Sequence, residues 1–110
     1  MLNQTVLVGR LVRDPELYET ESGNKVTNIT LAVPRSYKNS DGIYETDFIN
    51  CVLWKGIAES ASEYCHKGDL LGIKGRIQTR TIDVDEDSKR NITEVVAEKV
   101  TYLSSKRADE

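Results

Sequence analysis

The sequence predicts an all-β fold, a small five-stranded barrel with one helix between the third and fourth strands. Three observations lead to this prediction. Alternating apolar and polar residues recur in short runs that are separated by Gly, Asn, Asp and Pro. A single segment changes to helical spacing. The chain has 110 residues, which is enough for one domain with one modest core.

The first two strands are predicted in the first third of the chain. Residues 4–11 are rich in Val and Leu, and Asp14-Pro15 ends this strand. After a turn at Ser22-Gly23-Asn24, residues 25–33 alternate again. Pro34 cannot donate a backbone hydrogen bond, so we expect it to break the pairing or to bend the strand at an edge.

The third strand and the helix follow a hairpin. Asn39-Ser40-Asp41-Gly42 is a hairpin signal, and it precedes the strand that contains residues 47–54. Over residues 57–67 the apolar positions return at helical spacing, as Ile57, Ala61, Tyr64 and Cys65. Gly68 is placed to cap the C-terminal end of this helix.

The last two strands are predicted over residues 70–82 and 92–103, joined by a polar hairpin tip. The predicted domain is therefore 1–103, and residues 104–110 form a short polar tail that we expect to fray. Five strands with one helix between the third and fourth is the order of an OB-fold Greek-key barrel. That fold presents a strand face and its flanking loops to oligonucleotides. Other small barrels share the strand count, and the position of the helix favours this one.

The third strand has an unusual second face. Successive side chains of a strand point to opposite sides. One face is apolar, with Ile49, Cys51 and Leu53, and the other carries Phe48, Asn50, Val52 and Trp54. Either a second layer of protein covers the two aromatics, or they stack on a flat ligand. Tyr37, near Arg35 and Lys38, favours the ligand, because aromatics interleaved with basic residues bind the bases and backbone of single strands together.

The fourth strand adds a row of cations. Five residues share one of its faces: Lys74, Arg76, Gln78, Arg80 and Ile82. Such a row is either a solvated outer face or a track for phosphates that runs beside the aromatics. In the second interpretation, the cations that hold phosphates are Arg35, Lys55, Lys74, Arg76 and Arg80.

Charge and composition exclude several classes of protein. The net charge is −3, but eight of the 18 acids lie in the predicted connections at residues 14–21 and 83–87, so a local basic groove remains compatible with it. These acids lack His partners, so we expect no enzyme, no metal and no other cofactor.

The two cysteines are expected to be reduced and structural. No apolar run reaches the roughly 20 residues of a membrane span, and no signal peptide is recognisable, so we expect a cytoplasmic protein without a membrane partner or small-molecule substrate.

Eight segments carry a resemblance to a known family. They are VLVGRL (6–11), DPEL (14–17), NITLAV (28–33), DFINC (47–51), ASEY (61–64), KG (67–68), GRIQTR (75–80) and TEVVAE (93–98). In order and spacing they resemble the bacterial single-stranded DNA-binding proteins (the SSB family) of the Gram-positive type. Residues 64–68 and the short tail resemble the competence-associated paralogue.

The resemblance implies sequence-independent binding and protection of single-stranded DNA in replication, recombination, repair or DNA uptake. The stacking aromatics of the family fall on Tyr37, Phe48 and Trp54, and a fourth position falls on Ile82, which has no π face. The resemblance also implies a homotetramer, and it suggests recombination proteins as further partners. The first strand would pair across the subunit interface through Asn3, Gln4, Thr5, Val6, Leu7 and Val8.

One alternative has the same fold but a different role. A primosome-like OB protein acts mainly as a dimeric adaptor through protein contacts, and its native mass distinguishes it from a tetramer.

The connections at residues 18–23 and 83–87 are more acidic than the family norm, which predicts weaker wrapping of DNA.

Overall fold

The computed structural model describes residues 1–105, which form six strands and one helix. The elements are β1 (Thr5–Leu11), β2 (Tyr18–Glu19), β3 (Lys25–Lys38), β4 (Tyr44–Trp54), α1 (Lys55–Tyr64), β5 (Leu70–Asp83) and β6 (Lys89–Ser104). Apart from the two-residue β2, these are the five predicted strands, with the helix after the third of them. Most of the predicted polar tail, residues 106–110, lies outside the described residues.

The strands close into a barrel. Their order is β1-β5-β6-β4-β3-β2, and β1 also pairs with β3 through Arg10↔Ala32 and Leu11↔Leu31. All pairings are antiparallel except that of β4 with β6, which is parallel. This closed arrangement, with its one helix, confirms the predicted OB-fold barrel.

One face of each long strand fills the barrel, as the alternation predicts. Leu31, Leu53 and Ile73 come from three different strands and are at most 1% exposed. The helix adds Ala58 and Ala61 to the same core. Cys51 and Cys65 are free and buried, and burial raises their thiol pKa values to about 12 and about 11, so both remain protonated thiols at neutral pH.

Two local predictions need correction or refinement. The helix spans Lys55–Tyr64 rather than residues 57–67, and Gly68 does not cap it. The chain leaves the helix at Cys65 in an extended conformation, which places this side chain in the core, and Gly68 follows in a separate turn with φ of 91°. At Pro34 the prediction that the regular pairing is interrupted is confirmed. β3 continues to Lys38, but its register with β4 shifts between Pro34 and Lys38.

Candidate nucleic-acid interface

The outer face of β4 carries the exposed aromatics that the alternation predicted. Phe48 is 66% exposed and Trp54 is 38% exposed, whereas Cys51 and Leu53 on the opposite face are buried in the core. Val52 lies between the aromatics on the outer face yet is only 4% exposed. It pairs with Val96 of β6 and lines a depression on the outside of the barrel.

This depression, which we call the outer groove, joins four strands. It has a volume of about 350 Å³ and is lined by Val26, Asn28, Val52, Trp54, Gln78, Arg80 and Glu94. The aromatic strand and the basic strand therefore meet at one site, as the second interpretation of the cation row requires. Its apolar, aromatic and polar lining suits a flat, partly polar ligand such as a nucleobase.

A nearly buried carboxylate organises the basic side of the groove. Glu94 is 6% exposed and accepts hydrogen bonds from Gln78 Nε2 at 2.7 Å and from Arg80 Nε at 3.0 Å. Gln78 Oε1 in turn accepts from Arg76 at 3.3 Å. The Glu94 carboxylate thus orients two of the predicted phosphate ligands, Arg80 directly and Arg76 through Gln78. Among residues 1–105, neither terminal nitrogen of Arg80 has a protein partner.

The remaining predicted residues of the cation row follow the same outer face of β5. Lys74 is exposed and lies before Arg76, and Ile82 lies beyond Arg80, where it pairs with Arg90. Lys55 is exposed directly after Trp54, in the left-handed region with φ of 55°. Within the described residues, neither Lys55 nor Lys74 has an ion-pair partner.

Arg35 has a different environment from the other cations. Its Nε donates to both carboxylate oxygens of Asp47, at 3.2 and 3.1 Å, and a terminal nitrogen donates to Asp47 at 2.9 Å. The other terminal nitrogen reaches Glu45 at 2.7 Å. The Arg35 guanidinium holds the pKa of Asp47 below its ordinary value of 3.8. Arg35 therefore ties together the two strands of the β3–β4 hairpin.

That hairpin carries the third predicted aromatic. Tyr37 is 64% exposed and lies in the irregular part of β3 between Pro34 and Lys38. The ammonium of Lys38 lies 5.6 Å from the centre of the Tyr44 ring, which adds a cation–π contact beside it. Tyr37 and Phe48 thus stand on one hairpin, whereas Trp54 lies at its base.

The first strand leaves one edge incompletely paired. β1 pairs with β5 from Thr5 to Arg10, but among residues 1–105 it reaches β3 only at Arg10 and Leu11. Val6 is 70% and Val8 49% exposed beside this edge. The Asn3 side chain exchanges two hydrogen bonds, at 2.7 and 2.9 Å, with the backbone of Ile77, so it extends the pairing with β5 inside the chain.

Two residues of this region, Glu94 and Tyr18, have no distinctive signal in the sequence. Glu94 looked like any strand carboxylate, because its partners lie 14 and 16 residues away on another strand. Tyr18 lies in a segment whose pattern predicts a connection, since a two-residue strand is too short to show alternation.

A closed OB-fold barrel with a tryptophan and an arginine in one outer groove, and further exposed aromatics on β3 and β4, is typical of the small barrels that bind oligonucleotides. Comparison with known proteins identifies the family. The model of the single-strand binding protein family matches residues 2–103. The chain is 47% identical to single-stranded DNA-binding protein B of Bacillus subtilis, over 96% of this chain and 94% of that protein.

Longer relatives match over similar lengths. The single-stranded DNA-binding protein of Halalkalibacterium halodurans is 53% identical over 94% of this chain and 61% of that protein. That of Enterococcus faecalis is 48% identical over the whole chain and 58% of that protein. The chain belongs to the single-strand binding protein family, whose members are not enzymes, so the expectation of a non-catalytic protein is confirmed. Within residues 1–105, no helix is long and apolar enough to cross a membrane.

Proposed function

We propose that this protein binds single-stranded DNA without sequence preference and protects it in replication, recombination, repair or DNA uptake. The observation that carries the proposal is the meeting of Trp54, Gln78 and Arg80 in one groove. Bases stack on Tyr37, Phe48 and Trp54, and phosphates are held by Lys74, Arg76 and Arg80 along β5 and by Lys55 at the end of β4. Each stacked base contributes on the order of 1–3 kcal/mol.

The fluorescence of Trp54 tests this proposal directly, because it is the only tryptophan in the chain. Adding unstructured oligo-dT should quench its emission strongly, since a base stacked on the indole changes its environment. Duplex DNA of the same length should have little effect, because its bases are already paired and stacked. Binding of oligo-dT without any change in emission would show that Trp54 does not stack on the bound bases.

We also propose that the chain assembles into a homotetramer in which β1 pairs across a subunit interface. The incompletely paired edge of β1 supports this, because an exposed apolar strand edge favours pairing with another chain. An adjacent depression of about 420 Å³ offers further apolar surface, since its lining includes Val8, Ala32, Pro34 and Leu70.

Native mass spectrometry at micromolar concentration measures the assembly. We expect a tetramer, and we expect Val6→Lys with Val8→Lys to dissociate it, because the two ammonium groups would have to be desolvated at the interface. The exposed pair Lys99→Glu and Glu98→Lys is the matched control and should leave the mass unchanged. A native dimer would instead favour the adaptor role.

A further inference from the structure

Tyr18 lies in a row with Trp54 across three neighbouring strands. Tyr18 of β2 is the direct partner of Val26 in β3, and Val26 is the direct partner of Trp54 in β4. Directly opposed residues of paired strands place their side chains on the same face of the sheet. The Tyr18 ring therefore lies on the outer face, beyond Val26 and on the side of Trp54 away from β5.

From this row we infer that Tyr18 is an additional base-stacking residue that extends the single-strand path from the outer groove across Val26 onto β2. The inference rests on the proposed function, because it continues the same groove. Val26 lines the groove and lies between Tyr18 and Trp54 in the strand register. Two strand spacings separate the backbones of Tyr18 and Trp54, which is about 10 Å, so two different bases can use the two rings.

The ring is both available and held in place. Tyr18 is 54% exposed, and its hydroxyl donates a hydrogen bond to the Glu16 carboxylate. That bond restrains the ring without covering its face. A base can therefore stack on Tyr18 while losing little side-chain freedom.

Two of the carboxylates near Tyr18 already have partners within the chain. Glu16 accepts from the Tyr18 hydroxyl, and Glu19 pairs with Lys25 at 3.1 Å. Stacking on an aromatic face is also less dependent on charge than a phosphate contact. The acidity of this connection therefore opposes phosphate binding there more than it opposes base stacking.

Substitutions at Tyr18 measure the contribution of the ring. Tyr18→Ala should weaken binding of a long oligo-dT at least about fivefold, which is the lower end of the effect of removing one stacked base. Tyr18→Phe keeps the ring and loses only the bond to Glu16, so its affinity should stay within about twofold of the parent protein. Equal affinity of the parent protein and Tyr18→Ala would overturn the inference.

A relocated tryptophan provides a readout that does not depend on affinity. In the double variant Trp54→Phe with Tyr18→Trp, the single indole lies at position 18, and oligo-dT should quench its emission. The control variant, Trp54→Phe with Tyr102→Trp, places the indole beside α1, where Tyr102 contributes to a different depression with Ile57 and Ser60. Its emission should change little, and equal quenching of the two variants, or none at position 18, would contradict the inference.

The two proposals can fail separately. If oligo-dT quenches Trp54 in the parent protein but neither affinity nor emission responds at position 18, the groove binds DNA and Tyr18 lies outside its path. If oligo-dT does not bind the parent protein at all, the proposed function itself fails.

Discussion

At the scale of single residues, two arginines on the same sheet have different surroundings. Arg35 commits its Nε and both terminal nitrogens to Asp47 and Glu45. Arg80, which lines the groove, donates to Glu94 through Nε alone, and among residues 1–105 its terminal nitrogens have no partner. We therefore propose Arg80 rather than Arg35 as a phosphate ligand, since the Arg35 guanidinium already ties the two strands of the hairpin that carries Tyr37 and Phe48.

The pairing of Arg35 with Asp47 predicts a specific pH dependence. Because the pKa of Asp47 is lowered from 3.8 in the folded state, its contribution to stability is fully present above that value. The contribution is lost as the pH falls through the folded-state pKa. Asp47→Asn should therefore be less stable than the parent protein at neutral pH, and this difference should shrink as the solution is acidified below about pH 4.

Urea midpoints measured between neutral and acidic pH test this prediction. Asp41→Asn is the matched control, because Asp41 lies on the same hairpin and its carboxylate has no hydrogen-bond or ion-pair partner among residues 1–105. Its difference from the parent protein should not vary in this way. A constant difference for Asp47→Asn across the range would show that the ion pair does not form in solution.

At the scale of the elements, the close approach of β5 to β6 depends on one glycine. A Cβ built on Gly75 would lie 2.1 Å from the backbone oxygen of Val96, at the place where the register of β5 with β6 shifts. Gly72, on the same strand, has no neighbour nearer than 3.6 Å to the corresponding position. The two glycines therefore have different roles, although the sequence shows them as equivalent.

This contrast predicts that Gly75→Ala destabilises the barrel and Gly72→Ala does not. Backbone atoms cannot move aside as a flexible side chain does, so Gly75→Ala should lower the free energy of unfolding by about 1–3 kcal/mol or more. Gly72→Ala should change it by less than about 1 kcal/mol. Chemical denaturation of both variants measures the difference, and similar stability of the two would contradict the packing described at Val96.

At the scale of the whole molecule, placement of charge matters more than its total. The net charge is −3, yet most acids of the predicted connections lie on turns or in the two-residue β2, with Asp83 at the end of β5, and the outer face of β5 presents Lys74, Arg76 and Arg80. One acid, Glu94 of β6, lies inside the groove. Since it is hydrogen-bonded to Gln78 and Arg80, it orients the basic side chains there.

The cation row predicts how DNA binding depends on salt. For single strands, the logarithm of affinity falls with the logarithm of salt concentration by about 0.7 for each phosphate contacted. Replacing both Arg76 and Arg80 by Ala should make the slope shallower by about 1.4 and leave the oligomer intact. Arg35→Ala should change the slope less, because its guanidinium is already paired. Titrations of oligo-dT at several salt concentrations measure the slope. An unchanged slope in the double variant would contradict the proposal that Arg76 and Arg80 contact phosphates.

Much of the fold and part of the site were predictable because they depend on local patterns. Alternation with period two assigned Phe48 and Trp54 to one face and Cys51 and Leu53 to the other, and burial confirms this. The end of the helix was predicted less well. The pattern of apolar residues continues to Cys65, but the backbone is already extended at that residue, so the helix ends one residue earlier.

The sequence by itself determined the strand faces, the position of the helix and the family, since these follow from short-range periodicity and from motifs in order. Only the tertiary structure decided which side chains meet: Glu94 with Arg80, Arg35 with Asp47, and Tyr18 in one row with Trp54. The physical reason is that strand register depends on barrel closure and on bulges, which involve residues far apart in the chain. Side chains that look ordinary in the sequence therefore become neighbours only when the sheet closes.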